Sequence, residues 1–116
     1  MDMSMYDLTG KVAIITGSTR GIGNAIAKLM ADHGAAVVIT GRKQEACDKV
    51  ADEIKAAGGK ALGVATDVTS PEARQNLVKK TVETFGHVDI LVNNAGTGGQ
   101  PRKMVDMDED YFDHYV

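Results

Sequence analysis

A chain of 116 residues, 43% hydrophobic and 25% charged, has the make-up of one soluble globular domain with a core of modest size. A net charge of -3 gives no electrostatic case for nucleic acid or an anionic membrane surface. The Met-rich start lacks the basic and long apolar regions of a signal peptide, and no run approaches a membrane span, so the expected location is the cytoplasm.

The first element is a strand over Lys11 to Thr16, whose apolar Val12-Ala13-Ile14-Ile15 suits burial on both faces of a parallel sheet. A helix follows, with Ile22, Ile26, Leu29 and Met30 at helical spacing expected to form its apolar stripe and Gly34 its left-handed stop. Ala36 to Thr40 is a second strand. The helix after Gly41 carries Ala46, Val50 and Ile54 on one face and ends at Gly58-Gly59. Lys60 to Thr66 is a third, mixed strand. Ser70-Pro71 then caps and starts a third helix with Leu77, Val78, Val82 and Phe85 as its expected buried side, closed by Gly86. Val88 to Val92 is a fourth strand, Asn93 to Pro101 a loop, and Asp106 with Glu109 a capping box for a fourth helix bearing Tyr111, Phe112, Tyr115 and Val116.

Strands alternating with helices imply right-handed crossovers and an α/β doubly wound parallel sheet, ordered 3-2-1-4. In that order the fourth strand is an edge whose apolar Ile90-Leu91-Val92 ends without a charged or proline guard, so a neighbour is expected there, either a second subunit or further strands. Cys47, the only cysteine, is expected to pack on its helix. His33, His87 and His114 lack ligand spacing, and no metal site is expected.

The stretch with the most chemistry is Thr16-Gly17-Ser18-Thr19-Arg20-Gly21-Ile22-Gly23, where a buried strand turns into a helix. Glycine lets the backbone turn tightly and approach a ligand, while a helix start offers unpaired N–H groups and a partial positive charge. The stretch reads as a pyrophosphate cradle. Its spacing, G-x-x-x-G-x-G, departs from the usual G-x-G-x-x-G, and a ligand-free tight turn is the alternative that the stretch alone leaves open.

Three motifs occur in order at the ends of strands: T-G-x-x-x-G-I-G after the first, Asp67-Val68 after the third and Asn93-Asn94-Ala95-Gly96 after the fourth. Together they resemble the N-terminal half of a short-chain dehydrogenase/reductase, from Leu8 to Val116, with a Rossmann-type fold incomplete relative to the whole family. The resemblance implies that Gly17 and Gly21 permit the turn and Gly23 allows close packing of helix on strand. It implies that Ser18, Thr19 and Ile22 line the pyrophosphate, that Asp67 accepts a hydrogen bond from the adenine amino group with Val68 against the ring, and that Asn94, Ala95 and Gly96 pass beside the ribose. For Asn93 the expected role is structural, tying the fourth strand to its neighbours.

Cofactor choice follows from charge. NAD sites usually place a carboxylate near the end of the second strand, but that point here reads Thr40-Gly41-Arg42-Lys43. Arg42 can form a charge-assisted contact with a 2′-phosphate, worth roughly 1.5–3 kcal/mol, and Arg20 could reach it from the other side. NADP(H) is therefore expected over NAD(H), with Lys43 read as a helix start.

The family's serine, its tyrosine and the lysine four residues after that tyrosine are not found: the residue four after Tyr111 is Tyr115, and both tyrosines read as core. Residues 1–116 are thus expected to be a cofactor-binding half-domain, inactive alone, of an oxidoreductase acting on a small carbonyl or alcohol. A nucleotide-binding or interaction module without chemistry is the alternative, and an adenosine-ligand transferase a remote third, opposed by the Asn-Asn-Ala-Gly loop.

Overall fold

The computed structural model describes residues 7–94; the expected fourth helix, Ala95 and Gly96 lie outside them. Seven elements alternate: β1 (Val12–Ile15), α1 (Gly21–Asp32), β2 (Ala36–Gly41), α2 (Gln44–Ala56), β3 (Lys60–Ala65), α3 (Pro71–Phe85) and β4 (Ile90–Val92). All strand pairs are parallel and the order is β3-β2-β1-β4, as the alternation implied. Register places Ile15 beside Ile39 and Val92, so the C-terminal ends of the strands share one edge of the sheet.

Helices cover both faces. On one, α1 and α2 pack Ala27, Met30, Cys47, Val50, Ala51 and Ile54 onto Ala13, Ile15, Val37, Ile39, Ile90 and Val92. On the other, Leu77 and Val78 of α3 meet Ile14, Val38, Val64 and Leu91. Burial on both sides accounts for continuous apolar runs in β1, β2 and β4, where a sheet with one wet face would alternate.

Two helices bury part of the expected stripe, Met30 in α1 and Leu77 and Val78 in α3, with Ile26 and Phe85 partly buried against the core, and turn the rest outward. In α1 the face on the sheet is Gly23, Ala27 and Met30, whereas Ile22 and Leu29 are 57% and 59% exposed. In α3 Thr81 is buried, its hydroxyl donating to the Leu77 carbonyl at 2.8 Å, while Val82 is 43% exposed. At Ile22 and Val82 a smaller residue one position away, Gly23 or Thr81, takes the inner face. Small side chains let a helix approach the sheet, which gains more contact than one larger apolar group does.

The helix ends are as expected. Gly34, Gly58 and Gly86 take left-handed φ of 101°, 94° and 94°. After α1 the Ala35 N–H reaches back to the Met30 carbonyl at 3.1 Å, and after α2 the Gly59 N–H reaches Ile54 at 2.9 Å. The outer edge of β3 is closed by a side chain. Gln44, at the start of α2, donates to the Gly63 carbonyl and accepts from the Ala65 N–H, each at 2.9 Å. Thr66, whose N–H points inward to Gly41, shows that Gly63 and Ala65 are the outward-facing residues of that strand.

Candidate dinucleotide site

The loop between β1 and α1 is clamped from two sides. Toward β2, the Ser18 hydroxyl donates to the Ile15 carbonyl at 2.7 Å and accepts from the Thr40 N–H at 2.9 Å, while the Ser18 N–H donates to the Thr40 carbonyl at 3.0 Å. Ser18 is fully buried, so its side chain closes β1 onto β2 and faces away from solvent. Thr19 lies over Gly41, where a Cβ would meet the threonine methyl at 2.9 Å. Toward β4, the Thr16 N–H donates to the Val92 carbonyl at 3.0 Å, and its hydroxyl accepts from the Asn94 N–H at 2.8 Å. Thr16 Oγ1 and Asn93 Oδ1 lie 3.3 Å apart, and the Asn94 amide donates to the Gly17 carbonyl at 3.3 Å.

These clamps leave the outer arc of the loop bare. Gly17 and Gly21 sit at φ of 60° and 64°, in the left-handed region that a side chain resists. Arg20 is the N-cap of α1 and makes no side-chain capping bond; no acid stands in the first turn. Arg20, Gly21 and Ile22 are exposed, and among the described residues no acceptor takes the Gly21 or Ile22 N–H groups. Gly23 is buried beneath this arc. A Cβ built there would stand 2.3 Å from the Gly17 carbonyl oxygen and 2.7 Å from Asn94 Nδ2. Loop, helix and β4 therefore close on each other only because position 23 has no side chain.

The ends of β2 and β3 complete the edge. Arg42 is exposed and has no carboxylate within ion-pair distance among the described residues. Lys43 is the N-cap of α2, as expected. Asp67 is exposed; its Oδ1 accepts from the Thr69 hydroxyl at 2.6 Å and the Thr69 N–H at 2.9 Å. Those bonds, with the positive charge of Arg42 nearby, hold its carboxyl below the ordinary value of 3.8. Arg42 follows β2 and Asp67 follows β3, neighbouring parallel strands, so both stand at the same end of the sheet. Val68 is half-buried, and its carbonyl accepts from Arg74 Nη1 at 2.8 Å. Cys47 is buried under Gly41, and burial pushes its thiol up.

Sequence reasoning missed three residues that shape this rim. Asn24 donates to the Ser18 carbonyl at 3.4 Å, Gln44 closes the β3 edge, and Arg74 holds Val68. All three are polar side chains reaching a backbone carbonyl, a contact with no signature in residue spacing. Among the described residues no group of three His, Cys, Asp or Glu could hold a metal, and no helix is long and apolar enough to cross a membrane.

A parallel sheet of order β3-β2-β1-β4 with an open glycine turn at the end of its first strand defines a Rossmann-type, nucleotide-binding architecture. The model of the short chain dehydrogenase family matches residues 11–116, and the chain belongs to that family. It is 41% identical over 104 residues to tropinone reductase-like 3 of Erythroxylum coca, covering 90% of this chain and 40% of that protein. It is 47% identical over 92 residues to versicolorin reductase 1 of Aspergillus parasiticus, covering 78% of this chain and 35% of the relative. The crystal structure of a hydroxysteroid dehydrogenase from Escherichia coli superposes with a TM-score of 0.80 at 43% identity, over 84% of this chain and 42% of that one. The chain thus spans about two fifths of the length of these relatives.

Proposed function

We propose that residues 1–116 form the NADP(H)-binding part of a short-chain oxidoreductase that interconverts a small carbonyl and alcohol. Family membership implies a nicotinamide dinucleotide, and the residues present fit one. The observation that carries the reading is the bare arc at Arg20-Gly21-Ile22, braced by the Gly23–Gly17 close approach. Two backbone N–H groups at the positive end of α1, without an acceptor among the described residues, suit a pyrophosphate. When bound, the dinucleotide supplies the hydride; this chain's residues hold and orient it.

Gly17, Gly21, Gly23, Thr19 and Ile22 are assigned to the pyrophosphate, with Ser18 holding the loop in place through its buried hydroxyl. Arg42 and Arg20 are assigned to a 2′-phosphate. Both are exposed on the rim, and no carboxylate stands at the end of β2 to repel it. Asp67 keeps an ionised carboxylate on the same rim to accept from the adenine amino group, with Val68 against the ring. Asn94, Ala95 and Gly96 are assigned to the ribose side. Asn94 is anchored there by its bonds to Thr16 and Gly17.

The chain alone is proposed to be inactive, because no tyrosine in its 116 residues has a lysine four positions later. Beside β4, which is an edge among the described strands, a second subunit or further strands of a longer chain are proposed. The cytoplasm is the proposed location.

Fluorescence titration of the purified chain with NADPH and NADH tests the assignment. NADPH is expected to bind more tightly, and Arg42→Ala to lower its affinity roughly tenfold or more while changing NADH little. Equal or tighter binding of NADH overturns the 2′-phosphate argument. Absence of binding to either overturns the site. Measurable oxidation of NADPH with a carbonyl substrate by this chain contradicts the proposed inactivity.

A further inference from the structure

The buried polar groups at the ligand end of the sheet contain one side chain whose position the proposed function does not explain. Arg74 stands in the second turn of α3, half-buried, with Nη1 donating to the Val68 carbonyl at 2.8 Å. Its Nε is buried without a hydrogen-bond partner, one of two such side-chain atoms among the described residues; the other is Thr40 Oγ1, at the end of β2. A buried donor left unpaired costs stability, so holding a guanidinium here needs a compensating gain.

The bond to Val68 is that gain. The loop from Asp67 to Ser70 otherwise holds itself by short-range contacts: the Asp67 carboxylate on Thr69, the Ser70 N–H on the Asp67 carbonyl at 3.0 Å, and the Ser70 hydroxyl capping Ala73. Each of these closes a turn, but none fixes the Val68 peptide against the body of α3. Arg74 does, from a helix anchored on the sheet by Leu77 and Val78 immediately after it. The charged donor makes that bond about twice as strong as a neutral one.

Building on the cofactor assignment above, we infer that Arg74 is a positioning residue for the adenine end of the site, acting through the Val68 carbonyl to hold Val68 and the Asp67 carboxylate in place. Among the described residues its side chain makes no hydrogen bond to the pyrophosphate loop or to Arg20 and Arg42, so its effect is expected on the adenosine half of the ligand.

The test uses the full chain with three probes: NADPH, adenosine 2′,5′-bisphosphate and reduced nicotinamide mononucleotide. Arg74→Met is expected to weaken the first two by the same factor, roughly tenfold. The mononucleotide should bind as it does to wild type. Arg74→Lys, which keeps one charged donor within reach of the carbonyl, is expected to recover part of the loss. Unchanged affinity for the bisphosphate in a folded Arg74→Met chain overturns the inference, and so does a parallel loss for all three probes, which is the mark of a purely structural role. If Arg74→Met does not fold, Arg74→Lys alone decides, by a selective or an unselective loss. A wild-type chain that binds neither NADPH nor the bisphosphate overturns the cofactor assignment itself and this inference with it, a result visible before any substitution is made.

Discussion

Helices α1 and α3 both begin at the ligand edge of the sheet, yet their N-termini are finished in opposite ways. At α3 the chain completes its own cap: the Ser70 hydroxyl accepts from the Ala73 N–H at 3.3 Å, Pro71 removes a donor that would be orphaned, and Glu72 adds a negative charge to the first turn. At α1 the cap position is Arg20, with no side-chain bond and no acid nearby. An arginine there adds positive charge to an end that is already positive. The difference teaches that an uncapped start is not general to the helices of this chain, because α3 carries a side-chain cap, a proline and an acid where α1 has none of them. What holds α1 in place is long-range: Ser18 on β2, Thr16 and Asn94 on β4, and the close approach at Gly23.

The largest effect that can break this comparison is Gly23→Ala. Its Cβ would sit 2.3 Å from a backbone oxygen, so α1 must move off the loop, and a loss of about 1–3 kcal/mol in stability is expected by chemical denaturation. Nucleotide binding should disappear with it; a variant as stable as wild type would show that the loop can yield. Next is Ser70→Ala, which removes the α3 cap and should lower stability by about 1 kcal/mol, with a smaller loss of nucleotide affinity than Arg42→Ala because Ser70 also helps close the loop behind Val68. A drop in affinity as large as the one from Arg42→Ala would mean that the two helix ends are not independent.

Arg20→Asp makes α1 resemble α3. It supplies a capping carboxylate and should raise stability by roughly 0.5–1 kcal/mol while weakening NADPH binding, both read from melts with and without ligand. Loss of stability would contradict the view that the end is left open at a thermodynamic cost. The smallest effect concerns pH. The Asp67 carboxyl is held below 3.8 by the Thr69 hydroxyl, the Thr69 N–H and Arg42, so its contribution is fully present above that value. It is lost as pH falls through the lower folded value. Amide exchange at Thr69 should therefore accelerate only below about pH 4, where the loop before α3 loosens and the α1 loop, which has no titrating anchor, does not. Acceleration already at neutral pH would remove the carboxylate from that role.

Much of this protein was legible in its residues. Apolar runs of β-branched side chains marked β1, β2 and β4. Ser70-Pro71 marked a helix start, and Gly34, Gly58 and Gly86 marked helix ends. These signals are local, because each depends on what one or two residues allow the backbone to do. The sheet order was expected from the alternation of elements with the 3-2-1-4 doubly wound arrangement, which right-handed crossovers permit but do not fix alone. The glycine loop was legible as a turn and, with two further motifs, as a family feature.

The facing of the helices was legible only in part: Met30, Val50, Ile54, Leu77 and Val78 are buried as their spacing implied, but Ile22, Leu29 and Val82 are exposed. Ile22, Ile26, Leu29 and Met30 have the right spacing for a buried stripe, but Gly23 and Ala27 share a spacing with Met30 too, and only packing against the sheet selects the set with the smaller residues. Periodicity gives the width of a stripe; close approach decides which one turns inward. Ser18 is a further case, because its hydroxyl suits a phosphate equally well until Thr40 is seen 2.9 Å away. Gln44 on the β3 edge and Arg74 on Val68 are contacts between a side chain and a backbone carbonyl, and the carbonyl is the same in every residue. Sequence by itself determined which elements form and in what order they lie in the sheet. Tertiary structure alone decided which polar groups the fold uses up internally and which it leaves on the rim, because that division depends on distances between segments far apart in the chain.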